Sequence, residues 1–164
     1  MSENIDSVTN GSTVQENQPF DERLVHSWVV NLLSVLDDNL PENTKRVALN
    51  GCAAIHYRAI NMDELVLQYR GELTGFLVLI AEKWQWKVDY DAEAHVIIAD
   101  ENKPECVCPV ARLRPGPVSG VLCYCSEGFA ERMFSGVVGG PVQAQVLRST
   151  LRGDKSCVYQ IRIL

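Results

Sequence analysis

The stretch VVGGPVQAQVLRSTLRGDKSCVYQIRI, residues 137–163, decides the fold expected for this chain. Gly139-Gly140-Pro141 should stop the preceding helix, because glycine permits a left-handed C-terminal cap and proline cannot continue a helix. Apolar and polar residues then alternate over 142–146 and again over 157–163, which is the two-residue period of half-buried strands. Residues 152–155, RGDK, are typical of a turn between two strands. This stretch therefore predicts an antiparallel hairpin.

The segments before this hairpin extend the same sheet. An amphipathic helix is predicted over Ser126–Val138, with apolar side chains at helical spacing on one face. Further upstream, alternation over 86–90 and 96–98 predicts two more strands, with a turn at 91–93. These elements together predict an antiparallel sheet of about four strands that is interrupted by a helix.

The sequence before residue 85 has the period of helices. A first helix is predicted over Asp21–Asp38, with Asp21 as its cap and Phe20 and Val25 as a hydrophobic staple. A second helix is predicted to start at Pro41, to be interrupted at Asn50-Gly51 and to resume over 52–59.

A third helical segment is predicted from Asn61 to Trp84. Asn61 and Glu64 form a capping-box pattern, Ile60 and Leu65 are spaced as its staple, and Gly71 is expected to break or kink the helix. Residues 20–84 should thus form the helical part, and residues 85–164 the sheet and cysteine part, of a single α+β domain. Residues 1–19 are polar and are expected to form a disordered tail.

Bulk composition narrows the classes of function. The chain has 164 residues and a net charge of -6, which argues against nucleic acid binding because phosphates require clustered lysine and arginine. The longest apolar run, Phe76 to Ala81, is too short to span a bilayer, and the first residues do not resemble a signal peptide. We therefore expect a cytoplasmic protein without a membrane partner, whose thiols are reduced.

The cysteines are the strongest chemical signal. Cys106 and Cys108, then Cys123 and Cys125, form two CxC pairs, and Cys157 opens the strand predicted after the hairpin turn. If the helix expected near Ser126 starts beside the hairpin, these five thiols meet at one end of the sheet. Thiolates bind zinc, copper(I) and iron–sulfur clusters, although the usual zinc motif is CxxC. Simple burial of small apolar side chains is the alternative explanation.

The N-terminus of that helix should favour the thiolate form. Its free amides and dipole stabilise negative charge and can lower the pKa of a nearby cysteine. The same effect would assist a metal ligand and a nucleophile, so it does not choose between them.

The C-terminal half resembles a known family. The segments CVCPVA and LCYCSEGFAERMF, followed by the stretch quoted above, are similar to the C-terminal module of the L-2-amino-thiazoline-4-carboxylic acid hydrolase-like proteins. They resemble the vinyl-4-reductase domains more distantly. The resemblance covers about residues 106–164 well and residues 61–101 by pattern.

This resemblance implies a ligand-binding domain of the nitric-oxide-signalling and Golgi-transport type, often dimeric and often built around an apolar pocket. It also implies a metal, typically zinc, on cysteines and an acidic residue. Val146 and Ser149 occupy the positions that would match the acidic residue and the second cysteine, and neither is a good zinc ligand. Cys106 and Cys108 are the available replacements.

Three hypotheses for the function follow. The first is a zinc-binding small-molecule or sensor domain, with a pocket lined by aromatic and sulfur-containing side chains: Trp84, Trp86, Tyr124, Phe129 and Met133. The second is a hydrolase of a small cyclic C–N substrate that uses a cysteine thiolate or zinc-bound water, with a substrate carboxylate held by Arg112, Arg114 or Arg148. The third is an interaction domain that forms a homodimer through the apolar faces of helices 21–38 and 61–84.

Overall fold

Four helices come first in the described chain, and two pairs of strands follow, separated by two further helices. The computed structural model describes residues 22–112 and 117–164. The six α-helices are α1 (Glu22–Asn39), α2 (Glu42–Ala59), α3 (Met62–Gln68), α4 (Leu73–Lys83), α5 (Pro109–Arg112) and α6 (Cys123–Val138). The four strands are β1 (Lys87–Asp91), β2 (Val96–Asp100), β3 (Val142–Arg148) and β4 (Val158–Ile163), and two 3₁₀ turns span Gly120–Leu122 and Thr150–Arg152.

The four strands form one antiparallel sheet in the order β1-β2-β4-β3. The predicted hairpin is confirmed, since Ala144 of β3 lies opposite Ile161 of β4. The other neighbour of β4 is β2, where Ile97 lies opposite Ile161. The central position of β4 therefore joins the two hairpins into a single sheet.

The core lies between this sheet and α6. Met133, Phe134 and Val137 of α6 are completely buried, as are Ile97 and Ile161 of the sheet. Their burial is the main source of stability, because each large apolar side chain removed from water contributes roughly 1.5–3 kcal/mol. The predicted class, α+β with helices packed on an antiparallel sheet of four strands, is confirmed.

Helix α2 packs on the other side of α6 at close range. A Cβ atom on Gly128 would overlap the side chain of Asn50, and one on Gly136 would overlap Val66 of α3. The two glycines of α6 therefore permit this close approach of the helices.

The predicted interruption of α2 at Asn50-Gly51 is wrong. The helix runs continuously from Glu42 to Ala59. A glycine inside a helix costs only about 1 kcal/mol relative to alanine, and packing against α6 outweighs that cost. The Asn50 side chain does not end the helix but donates a hydrogen bond to Glu131 Oε2 at 3.1 Å.

The predicted capping box at Asn61 is also wrong. Asn61 has the left-handed backbone conformation (φ 52°) and makes no side-chain capping bond; its backbone N–H instead donates to the carbonyl of Arg58. Asparagine tolerates this conformation, so it serves here to end α2. The expected break at Gly71 is confirmed, with φ of 82° between α3 and α4.

Helix α6 begins three residues earlier than Ser126, at Cys123. The reason is the 3₁₀ turn Gly120–Leu122, which leads directly into α6 and is capped by Ser119, whose hydroxyl accepts from the Val121 N–H. The connection between β3 and β4 is likewise longer than the predicted four-residue turn, because a 3₁₀ turn over Thr150–Arg152 precedes Gly153.

Some expectations concern residues that the structure does not describe. These are the polar tail over 1–19, the cap and staple at Phe20 and Asp21, and Arg114. Within residues 22–112 and 117–164, no helix has the length and apolar character needed to cross a membrane.

Candidate functional site

A cavity of about 560 Å³ lies at the end of the sheet where β4 begins. One wall is a face of α6 that carries Ser126, Phe129 and Met133, three residues brought together by helical periodicity. The sheet contributes Tyr159, and the segment after β2 contributes Glu101. The cavity is thus enclosed by elements from both halves of the domain.

Most of the cavity wall is apolar and aromatic. The rings of Trp84 and Trp86 lie 5.4 Å apart, and Trp86 stacks on Tyr159 at 6.1 Å with an interplanar angle of 14°. On the opposite side, the ring of Phe129 lies 4.8 Å from that of His56. Offset and edge-on rings of this kind give a rigid apolar surface.

Four of the five residues predicted to contact a ligand line this cavity: Trp84, Trp86, Phe129 and Met133. Tyr124 does not lie in the cavity wall. It sits on another face of α6, where the guanidinium groups of Arg46 and Arg152 approach its ring to 4.6 and 5.3 Å.

Four of the five predicted cysteine ligands also line the cavity. They come from three separate segments: Cys106 and Cys108 after β2, Cys123 at the start of α6, and Cys157 before β4. Cys125 does not line the cavity; it lies in an adjoining apolar cluster that also contains Cys108 and Leu49. The fold therefore gathers four thiols at the cavity and leaves the fifth beside Cys108.

The partners of these thiols are hydroxyl groups. Cys123 Sγ lies 2.9 Å from Ser149 Oγ, and Cys157 Sγ lies 3.6 Å from Thr150 Oγ1. Within the described parts of the chain, no group of three or more His, Cys, Asp or Glu side chains is placed to hold a metal ion. The zinc site consequently stays a prediction.

Burial raises the pKa of three of the cysteine thiols. For Cys123 the hydrogen bond with Ser149 opposes this shift. Burial raises the pKa of Cys106 to about 11 and that of Cys125 to about 12. The expected lowering of the cysteine pKa at the start of α6 is not found for Cys123, because desolvation is the largest influence on its thiol and raises the pKa.

The polar part of the cavity is a buried pair that sequence reasoning missed. Tyr159 Oη donates a 2.8 Å hydrogen bond to Glu101 Oε1, and both residues are about 5% exposed. Burial is the largest cause that raises the pKa of Glu101 and the pKa of Tyr159. Glu101 shares the inward face of β2 with Ile97 and Ala99, so extending the alternation past the strand would have found it.

The basic side chains in the described lining of the cavity are lysines rather than the predicted arginines. Lys83 and Lys103 contribute to its lining. Arg112, at the end of α5, and Arg148, on β3, are exposed and do not line it. The prediction that arginine holds a substrate carboxylate therefore has no support from Arg112 or Arg148.

Comparison with known proteins gives a fold but no family. No family model and no curated protein matches the chain. Among solved structures, it is similar to a trafficking protein particle complex subunit 3 from Naegleria fowleri covalently bound to palmitic acid, with a TM-score of 0.57 and 12% identity over 86% of this chain and 92% of that one.

A second similar structure is the phenol-responsive sensory domain of the transcription activator PoxR with phenol. Its TM-score is 0.45 at 15% identity, over 84% of this chain and 74% of that one. The chain therefore shares with the trafficking subunit the expected fold, in which helices pack on an antiparallel sheet. Membership of the thiazoline-carboxylate hydrolase-like or vinyl-4-reductase families stays a prediction.

Proposed function

We propose that this domain binds a small, largely apolar molecule in the cavity between α6 and the sheet. The observation that supports this most directly is the cavity itself, whose volume of about 560 Å³ lies within the range of small-molecule sites. An apolar occupant would remove much of this lining from water, and that burial would stabilise the complex.

The lining favours a ligand with an aromatic or aliphatic body. Trp84, Trp86 and Phe129 offer ring faces, and the thioether of Met133 adapts to irregular shapes. Because burial keeps the Cys106 and Cys123 thiols protonated at neutral pH, they add polarizable, nearly apolar surface. The trafficking subunit with the same fold carries palmitic acid, a ligand with a long apolar part.

The pair Glu101 and Tyr159 would orient that ligand. Since Tyr159 donates to one oxygen of Glu101, the remaining acceptor capacity of the carboxyl group suits a hydroxyl or amine of the ligand. Within the described residues of the lining, Glu101 is the one carboxylate, so it provides the single acidic point of recognition.

A zinc ion bound by the cysteines would add a metal to this site, but the described side chains are not arranged to ligate one. The four thiols near the cavity are not grouped as metal ligands, and two of them pair with hydroxyls. Hydrolysis of a cyclic C–N substrate is the alternative function. We favour binding over it because a nucleophile requires a thiolate, and burial raises the pKa of Cys123.

A fluorescence titration with N-phenyl-1-naphthylamine, an apolar dye, tests the proposal. We expect saturable enhancement for the unaltered protein. Ser126→Phe, which projects a ring into the cavity, should weaken dye affinity by at least about tenfold. Ser27→Phe makes the same change on the exposed face of α1 and should leave the affinity unchanged.

Circular dichroism must first show that both variants are folded. Absence of saturable binding to the folded protein, or equal affinity in the Ser126→Phe and unaltered proteins, would refute the proposal.

A further inference from the structure

A second concave surface lies on a different face of α6. This groove, of about 840 Å³, runs between α2, α3 and the C-terminal half of α6. It shares no lining residue with the cavity described above. It is therefore a separate candidate site.

Arginines dominate the charge of this groove. Arg58 comes from α2, Arg70 from the turn after α3, and Arg132 from α6, whereas Asp63 is the single acidic residue of the described lining. This excess of positive over negative side chains contrasts with the net charge of the whole chain, which is -6. Three separate elements thus bring positive charge to one concave surface.

Within the described residues, none of these guanidinium groups forms an ion pair, and Arg58 donates only to the backbone carbonyl of Ala54, at 3.1 Å. Arg58 lies in the last turn of α2 and Arg70 just after α3, where they can compensate the helix dipoles. Arg132 lies inside α6, so this explanation does not apply to it.

Tyr57 adds a hydrogen-bond donor to the groove. The residue is only 7% exposed, but its hydroxyl has no hydrogen-bond partner among the described residues and is accessible from the groove rather than sealed in the core. The ring packs edge-on against Phe129, which fixes its direction. Burial and the nearby Asp63 raise the pKa of Tyr57, so the hydroxyl remains a donor at neutral pH.

Access to the groove is open at its end near α6. A Cβ atom on Gly139 or Gly140 would meet nothing within 4 Å, so these residues leave room beside the arginines. The volume and concave shape suit a small molecule rather than the broad surface of a protein partner.

We propose that this groove binds the phosphate group of a small phosphorylated molecule. Guanidinium forks match the oxygens of phosphate and can bind them in a bidentate manner. Three arginines balance a doubly charged group, and the Tyr57 hydroxyl donates to one more oxygen. Apolar side chains beside them, including Val66 and Leu67, would contact the rest of the molecule.

Isothermal titration calorimetry with inorganic pyrophosphate, at about 0.15 M salt, tests the proposal. We expect saturable binding that Arg132→Gln weakens by at least about tenfold, since a charge-assisted pair is lost. Tyr57→Phe keeps the buried ring and should weaken binding about threefold or more by removing the donor. The matched control is Arg162→Gln, which removes an exposed arginine on β4 outside the groove.

Three outcomes would overturn the proposal: no saturable heat with pyrophosphate, equal weakening by Arg162→Gln and Arg132→Gln, or binding of an oligoglutamate peptide in place of pyrophosphate. Binding of the naphthylamine dye to the Arg132→Gln protein should be unchanged. The dye therefore also confirms that the variant is folded.

Discussion

Glu101 illustrates how one buried carboxyl group affects the stability of the fold. Burial raises its pKa in the folded state, which means that the folded protein holds the proton more tightly than the unfolded chain does. As pH rises through the unfolded and then the folded pKa, ionising Glu101 costs the folded state free energy. At neutral pH the folded protein therefore pays a free-energy cost at Glu101, the residue that we propose contacts the ligand.

Replacing Glu101 with glutamine should therefore stabilise the protein as pH rises. The glutamine oxygen can still accept from Tyr159, and no charge is buried. We expect little difference from the unaltered protein near pH 4 and a gain of roughly 1 kcal/mol near pH 8. Urea unfolding between about pH 4 and pH 8 measures the free energy of unfolding of both proteins. An equal gain at both pH values would contradict a raised pKa of Glu101.

The cysteines allow a second test at the residue scale. Cys52 is exposed on α2, whereas Cys108, Cys123 and Cys157 are buried. Iodoacetamide at about pH 7.5 should modify Cys52 first, and the buried thiols at least about tenfold more slowly, because alkylation needs an accessible thiolate. Peptide mass spectrometry gives the order, and faster modification of Cys123 or Cys157 would favour the hydrolase alternative.

Helix α6 is the element that links the two layers, and Glu127 is central to that link. Its side chain is 1% exposed. Arg46 of α2 donates to it at 2.8 Å from Nε, and the backbone N–H of Val146 on β3 donates at 3.0 Å. One carboxylate thus holds a helix on one side and a strand on the other.

Removing the arginine partner should be costly. In Arg46→Met the Glu127 carboxylate stays buried but loses two hydrogen bonds, those from Nε and Nη2 of Arg46. We expect a loss of about 2 kcal/mol in the free energy of unfolding, less than for a fully buried pair because Arg46 is half-buried. Arg162→Met should change stability by less than about 0.5 kcal/mol. Thermal unfolding measures both, and Glu127→Gln introduced with Arg46→Met should recover part of the loss.

Local sequence signals identified most elements but misplaced several boundaries. The alternation of apolar and polar residues over 142–146 and 157–163 correctly predicted two strands, because one face of each strand meets the core. Asn50-Gly51 was misleading, since tertiary packing of α2 on α6 overrides a weak local preference. Asparagine at position 61 correctly indicated a boundary between helices. The sequence could not show that the backbone of Asn61, rather than its side chain, would make the hydrogen bond that ends α2.

The site was only partly predictable for a related reason. Helical periodicity identified the face of α6 that carries Phe129 and Met133, so these residues could be found. Tyr124 is also buried in α6, but it points away from the cavity that its neighbour Cys123 lines, because successive residues of a helix point in different directions. Arg58, Arg70 and Arg132 lie far apart in sequence, and only the packing of three helices shows that they share a groove.

At the scale of the whole molecule, α1 carries an uncovered apolar stripe. Leu24, Trp28, Leu32 and Val35 recur at helical spacing and are between 37% and 68% exposed. Contiguous exposed apolar surface commonly marks an interaction site. The homodimer expected from the sequence has a candidate interface here.

Sedimentation velocity should then show self-association that depends on protein concentration. Trp28→Glu should shift the population to monomer, because it places a charge at the centre of the stripe. Ser27→Glu, on the adjoining exposed position, serves as the control. A protein that sediments as a monomer up to about 100 μM would argue against this interface.

The position of β4 has a consequence for how the molecule assembles. This strand is made after the other three, yet it lies between β2 and β3 in the finished sheet. The β1–β2 hairpin and β3 therefore have no direct pairing with each other and must wait for β4 to be inserted. Such distant contacts slow folding, and the cavity cannot be completed until β4, which carries Tyr159, has been made.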